Sequence, residues 1–130
     1  MGIYLDISDH KYCTEATIPS EIGNLSSLKM LDMSYNGLRG TLPSELFGLV
    51  SLEDMNLSWN SLSCSLPQSM ELISLREMDL SHNILTGMLP GALGSLESLE
   101  MLQMDVSKSD VEGKIRDIHT MFFLVDRLIS

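Results

Sequence analysis

The residues best suited to chemistry are few, and their spacing completes no site. His10 and Cys13, three positions apart, could both bind a metal ion, but no second pair of ligands completes the set that a zinc ion needs. A nucleophilic mechanism would need a serine or cysteine beside a histidine and an orienting carboxylate, and the sequence suggests no such set. We therefore predict no metal site, no cofactor and no enzyme activity, and we interpret His10 and Cys13 as loop residues.

The charge of the chain narrows its possible partners. The 130 residues carry 18 acidic and 8 basic side chains, a net charge of -10. Nucleic acid is excluded as a partner, because binding it requires clustered lysine and arginine. The negative electrostatic field of such a chain would attract a basic protein surface.

No targeting or membrane-spanning segment is evident. The longest nearly uncharged apolar stretch, residues 121–125, is far shorter than the roughly 20 residues of a membrane span. Residues 1–10 have no basic flank, no long apolar run and no cleavage site, so we predict no signal peptide. A fragment, or a mature chain whose signal is gone, would begin in the same way, and the compartment stays open.

The prolines recur at a regular spacing of 24, 24 and 23 residues: Pro19, Pro43, Pro67 and Pro90. A fixed period in the twenties indicates a solenoid of stacked coils. We predict one domain over residues 1–130, with regular coils at about residues 18–90 and degenerate flanking coils at residues 1–17 and 91–130.

Each coil contains a short alternating segment. Leu28, Leu31 and Met33 would point to one side of a strand, and Met30 and Asp32 to the other. The other coils repeat the apolar set as Leu52, Met55 and Leu57, as Leu75, Met78 and Leu80, and as Leu99, Leu102 and Met104. Stacked coils would join these strands into one parallel sheet, and each buried side chain would contribute about 1.5–3 kcal/mol.

The residues after each strand predict how the coil turns. An asparagine follows three of the strands, where its amide could satisfy buried backbone groups of two coils: Asn36, Asn60 and Asn83. Gly40 and Gly87 indicate a tight bend. The return segment is the part of each coil that leads from this bend back to the next strand. A proline followed two residues later by Glu21 or Glu45 suits a short helical turn there. Residues 111–124 are interpreted as a degenerate coil that passes into a short amphipathic helix.

The remaining strand positions form three columns across the coils. The first is Asp9, Tyr35, Trp59, His82 and Val106; the second is Asp6, Asp32, Asn56, Asp79 and Gln103; the third is Tyr4, Met30, Asp54, Glu77 and Met101. Tyrosine and tryptophan beside carboxylates suit a partner with apolar anchors and basic groups. The candidate binding residues are therefore Tyr35, Trp59, His82, Asp32, Asn56, Asp79, Asp54 and Glu77. The alternative is that aspartate is simply common in this repeat and that the aromatic residues cover the sheet edge.

The coils resemble the plant-type leucine-rich repeat, whose consensus is Ile-Pro-x-x-Ile/Leu-Gly-x-Leu-x-x-Leu-x-x-Leu-x-Leu-Ser-x-Asn-x-Leu-x-Gly. The segment IPSEIGNLSSLKMLDMSYNGLRG matches it at nearly every defined position, and the resemblance is strong over residues 18–90. It implies an α/β right-handed solenoid with a parallel sheet on the concave face and short helical or 3-10 turns on the convex side. It also implies recognition of peptides or proteins, outside the cell or at its surface, mostly through the concave face. The paired-cysteine caps usual in secreted members are missing here, and so is any kinase motif.

We therefore interpret the chain as a protein-interaction module, a recognition fragment of a receptor or receptor-like protein that binds a peptide or protein on its concave face. Two other functions fit the same pattern. A scaffold subunit would dock through its coil ends into a larger assembly, and the poorly capped ends favour it. An enzyme inhibitor would use the same face as a receptor fragment. Two sequons, Asn24-Leu25-Ser26 and Asn56-Leu57-Ser58, would carry glycans only in a secreted protein, and the repeat itself generates Asn-Leu-Ser.

Cys13 and Cys64 are both predicted to be free thiols. Cys64 takes the place of Gly40 and Gly87 in its coil, where it would act as a small buried spacer. The two cysteines lie about two coils apart, roughly 10 Å or more at sheet spacing, whereas a disulfide needs Cα atoms within about 7 Å. Thiol titration of the unfolded, unreduced chain should count two thiols, and a count of zero would refute the prediction.

Overall fold

Five parallel strands, one from each coil, form the main sheet of the solenoid. The computed structural model describes residues 2–9, 16–63, 65–85, 91–107 and 127–129, so that His10, Cys13, Cys64, Gly87 and residues 111–124 lie outside the described part. The strands are β1 (Ile3–Asp6), β2 (Leu28–Asp32), β3 (Arg39–Gly40), β4 (Asp54–Asn56), β5 (Ser61–Leu62), β6 (Glu77–Asp79), β7 (Met101–Gln103), β8 (Asp105–Ser107) and β9 (Arg127–Ile129). The main sheet has the order β1-β2-β4-β6-β7, as expected when each coil stacks on the one before it.

The buried side of this sheet confirms the predicted apolar set. Leu31 pairs with Met55, Met55 with Met78, and Met78 with Leu102, and each of the four is at most 2% exposed. The flanking predicted positions are buried too: Leu28, Met33, Leu52, Leu57, Leu75, Leu80, Leu99 and Met104. One continuous core therefore runs through the coils, and each coil buries its apolar residues against its neighbours.

The three asparagines after the strands form a hydrogen-bonded ladder between coils. The Nδ2 of each donates to a carbonyl of the preceding coil: Asn36 to Ile7 at 2.8 Å, Asn60 to Met33 at 3.0 Å and Asn83 to Leu57 at 2.9 Å. Because each amide also donates within its own coil, it closes the turn and links neighbouring coils. The predicted role of these asparagines is confirmed.

The return segments contain short 3-10 helices at Ser20–Asn24, Ser44–Gly48 and Gly91–Ser95. Pro19 and Pro43 precede the first two in extended conformation, and Glu21 and Glu45 lie in their first turns, as predicted. The third coil is one residue shorter and makes this passage, residues 67–72, without a helical turn. No helix in the described ranges is long and apolar enough to span a membrane.

A second region of sheet was not predicted from the sequence. β3 pairs in parallel with β5, so that the segment around Gly40 forms a strand as well as the expected bend. β8 pairs in parallel with β9, which joins the fifth coil to residues near the end of the chain. Two-residue strands carry too little periodicity to be recognised in a sequence.

Gly40→Ala should lower the free energy of unfolding by about 1 kcal/mol. Gly40 has φ +80°, in the left-handed region, and an added Cβ would lie 3.3 Å from Cγ2 of Thr17. Gly48→Ala is the control: an added Cβ there would meet nothing within 4 Å, and we expect stability to hold or to rise by up to about 1 kcal/mol. Urea unfolding of both variants would measure the difference, and equal midpoints would contradict it.

Candidate binding face

The register of the main sheet brings five of the eight predicted binding residues to one face: Asp32, Asp54, Asn56, Glu77 and Asp79. Met30, Asp54, Glu77 and Met101 are consecutive partners across β2, β4, β6 and β7, and so are Asp32, Asn56, Asp79 and Gln103. We call this side of the sheet the concave face. The second and third columns predicted from the sequence are therefore confirmed as columns.

Tyr35, Trp59 and His82 form a continuous stack beside the sheet, which we call the aromatic column. The ring centroids of Tyr35 and Trp59 are 5.3 Å apart with planes 10° from parallel. Those of Trp59 and His82 are 3.7 Å apart at 15°. Tyr35 remains 50% exposed and Trp59 47% exposed. Since the rings use their faces on one another, they present their edges to solvent.

The backbone of the aromatic column lies in an unusual conformation. Tyr35, Trp59 and His82 have φ of 57°, 57° and 56°, in the left-handed region that costs an ordinary residue about 1–2 kcal/mol. Each residue immediately precedes a ladder asparagine, and the left-handed turn directs that asparagine inward. Glycine would make the same turn at lower cost. The turn alone therefore does not explain three large rings at these positions.

The fifth coil differs from the others at Val106, which the sequence placed in the first column. Val106 lies in β8, where the chain stays extended and pairs with β9. Ser107 stands at the sequence position that the ladder asparagines take in the other coils. Asp9, at the other end, keeps the left-handed turn with φ 55°.

Asp32, Asn56 and Asp79 have a local structural role that the sequence analysis missed. Each accepts two hydrogen bonds at Oδ1 from the serine two residues later, at 3.0 Å from the backbone nitrogen and 2.6 Å from Oγ. These serines, Ser34, Ser58 and Ser81, are each 4% exposed. The bonds guide the chain out of the strand. The repeated Asp/Asn-x-Ser spacing was the available signal.

Asp54 and Glu77, which belong to the third column, have no such role in a turn. They are neighbours in register across β4 and β6. Within the described residues, neither carboxylate takes part in a hydrogen bond or salt bridge. Like charges on adjacent strands destabilise a sheet, and of the two it is Asp54 whose charge helps to raise the pKa of the Arg76 guanidinium.

A second feature missed from the sequence is a ladder of alternating charge along the edge of this face. Lys29 contacts Glu53 at 3.2 Å, and Arg76 contacts Glu100 at 3.2 Å with a second bond from Nε at 3.3 Å. The hydrogen bond and charge of Glu100 raise the pKa of the Arg76 guanidinium, with further contributions from Asp54 and Glu53. Both cations beside the face thus have acidic partners, and the carboxylates leave its middle negative.

A groove of about 610 Å³ lies over the middle of the concave face. Asp54, Asn56, Glu77 and Asp79 line its centre together with Arg76, and methionines contribute at both ends: Met30 and Met101. No group of three or more potential metal ligands is found in the described part of the chain. The arrangement combines carboxylates, which can accept hydrogen bonds from a bound ligand, with apolar methionine side chains.

Comparison with known proteins agrees with this architecture. Two leucine-rich-repeat family models match residues 18–62 and 74–96, together just over half of the chain. No curated protein matches the sequence.

Solved structures of several plant receptors share this fold. The plant peptide hormone receptor RGFR1, in complex with RGF2, is 33% identical over 87% of this chain and 19% of that chain, with a TM-score of 0.72. The ectodomain of the receptor kinase SOBIR1 from Arabidopsis thaliana is 27% identical, and the match covers 96% of this chain and 73% of that chain with a TM-score of 0.72. The Arabidopsis receptor kinase HAESA, in complex with an IDA peptide hormone, is 25% identical, and the match covers 85% of this chain and 19% of that chain with a TM-score of 0.67.

The chain therefore spans about a fifth of the RGFR1 and HAESA chains, and about three quarters of the SOBIR1 chain. The repeat consensus, the stacked coils with a ladder of asparagines, and these matches agree. The chain belongs to the leucine-rich-repeat family and carries the plant-type repeat.

Proposed function

We propose that this chain is a recognition segment of a cell-surface receptor or receptor-like protein, and that it binds a peptide or protein segment along its concave face. The observation that carries the proposal is the exposed, pre-stacked aromatic column beside two carboxylates, Asp54 and Glu77, that make no hydrogen bond or salt bridge with a described residue. Rigid aromatic side chains lose little entropy on binding and are frequent hot spots. The peptide hormones bound to RGFR1 and HAESA support this class of partner.

The partner is a basic segment in this proposal. Asp54 and Glu77 lie side by side in the groove, and Asp32 and Asp79 flank them in the neighbouring column. A lysine or arginine entering the groove would relieve the repulsion between Asp54 and Glu77 and would gain charge-assisted hydrogen bonds. Apolar side chains of the ligand would contact Met30, Met101 and the aromatic column.

Binding, rather than catalysis, is the activity that we assign to this face. We further propose that residues 1–130 form one domain, with regular coils at about residues 18–90 and less regular coils at residues 1–17 and 91–130. The parallel pairing of β8 with β9 supports continuity of the solenoid into the last of these segments.

A displayed library of random peptides, selected against the intact chain, tests the proposal. Selected peptides should be rich in lysine or arginine with neighbouring apolar residues, and their affinity should fall as salt concentration rises. The double variant Asp54→Asn/Glu77→Gln should bind them more weakly and with less salt dependence. The control, Glu21→Gln/Glu45→Gln, removes the same charge from exposed positions on the return segments.

Peptides of no particular charge, or equal binding losses in the two double variants, would argue against a basic ligand. Strong binding that survives every change on the concave face would refute the site itself.

A further inference from the structure

We propose that Asn24 is an N-glycosylation site on the convex side of the solenoid, and that Asn56, the other sequon, stays unmodified. The proposal rests on the cell-surface part of the proposed function, since the modification requires passage through the secretory pathway. It does not depend on which ligand the concave face binds.

Asn24 has no structural task in the described part of the fold. Four of the five asparagines of the chain make side-chain hydrogen bonds that shape it: Asn36, Asn56, Asn60 and Asn83. The side chain of Asn24 makes no hydrogen bond with any described residue, and it is exposed. Attaching a sugar to its Nδ2 therefore breaks no contact that the structure shows.

The surroundings of Asn24 leave room for a bulky group. Asn24 ends the 3-10 helix Ser20–Asn24, and both Leu25 and Ser26 of the sequon are exposed. The next coil places Gly48 at the matching position, where even an added Cβ would meet no atom within 4 Å. The next coil therefore presents no side chain to Asn24 at this matching position.

Asn56 offers the opposite setting. It lies in β4 at the middle of the main sheet, between Asp32 and Asp79 in register. Its Oδ1 accepts hydrogen bonds from the nitrogen and Oγ of Ser58, so the sequon hydroxyl is already engaged. Leu57 is 0% exposed and Ser58 4%. In the folded coil this sequon is inaccessible, and a glycan there would fill the groove that Asn56 lines.

The chemistry at Asn24 is transfer of an oligosaccharide from a polyprenyl-pyrophosphate donor. A bond forms between Nδ2 and the anomeric carbon of the first sugar, while the bond from that carbon to the pyrophosphate oxygen breaks. The amide loses one proton, and the lipid pyrophosphate leaves. The hydroxyl of Ser26, exposed and close in sequence, is the one that the sequon requires.

The test is secretion of the full chain behind an added leader from plant or insect cells, followed by N-glycosidase digestion and peptide mass spectrometry. We expect a single glycan, with Asn24 converted to aspartate by the enzyme and Asn56 recovered unchanged. Asn24→Gln and Ser26→Ala should each abolish the shift in mass, whereas Asn56→Gln should retain it.

Two variants separate glycan loss from misfolding, because Ser26→Ala leaves the amide of Asn24 in place. A secreted chain without a glycan at Asn24 would overturn the proposal, and so would a glycan found at Asn56. Failure of peptide binding on the concave face would overturn the ligand hypothesis instead and leave this result unaffected.

Discussion

Asn60→Ala should lower the free energy of unfolding by about 3 kcal/mol, whereas Asn24→Ala should change it by less than about 0.5 kcal/mol. The Oδ1 of Asn60 accepts hydrogen bonds from the backbone nitrogens of Asn36 at 3.1 Å and Leu38 at 2.9 Å. Both residues are buried. Alanine would leave these two donors without a partner and without access to water, and each orphaned group costs about 1–3 kcal/mol.

Asn83→Ala provides an intermediate case. Its Oδ1 accepts from one described backbone nitrogen, that of Leu62 at 3.0 Å, and the residue is only partly buried. The loss should therefore be smaller than for Asn60, about 1–2 kcal/mol. Urea unfolding of the three variants should rank them Asn60, Asn83, Asn24. Small and equal losses would show that the asparagine ladder contributes little to stability.

Trp59→Ala should weaken binding of the selected basic peptides about thirtyfold, which corresponds to about 2 kcal/mol. Trp59 is the only tryptophan in the chain, and it lies in the middle of the aromatic column with Tyr35 and His82 on either side. Its removal takes away the largest apolar edge on this face and also frees the two neighbouring rings. Titration of a labelled peptide against both proteins would measure the change.

The same substitution tests what the stack contributes to folding. The sequence alone predicts a loss under about 0.5 kcal/mol, as for an ordinary exposed residue. The structure changes this expectation to about 1 kcal/mol, because stacked aromatic pairs contribute about 0.5–1.5 kcal/mol beyond their burial. Ile73→Ala is the control, since Ile73 is a 64% exposed apolar residue outside the main sheet. It should leave binding unchanged.

Unchanged binding with an intact fold would move the site away from the aromatic column and favour docking through the coil ends. Complete unfolding of Trp59→Ala would show that the column is needed for folding, and the milder Trp59→Phe would then test its role in binding.

The regular part of the fold could be predicted from residues repeated at one spacing. Leu31, Met55, Met78 and Leu102 were assigned to the core because the same alternation recurs in every coil. The ladder asparagines were assigned because a turning backbone needs a side chain that both donates and accepts. Such inferences succeed because each coil packs between two coils of similar sequence.

The candidate site was predicted less completely. The sequence aligned Tyr35, Trp59 and His82, but not their stacking or their left-handed backbone. It grouped Asp32 with Asp54, although Asp32 supports a turn and Asp54 has no such contact in the described chain. Stacking depends on the rotamers and dihedral angles of residues 24 or 23 positions apart, which no local pattern encodes.

The sequence by itself thus determined the period, the buried face of the sheet and the side chains that line up on the opposite face. Periodicity is sufficient for these, because burial and alternation act on every coil alike. Only the tertiary structure decided that β3 pairs with β5, that β8 pairs with β9, and that the amide of Asn56 holds the nitrogen and hydroxyl of Ser58. These outcomes depend on contacts between particular coils, and there a single residue such as Ser107, in the place of a ladder asparagine, departs from the repeat.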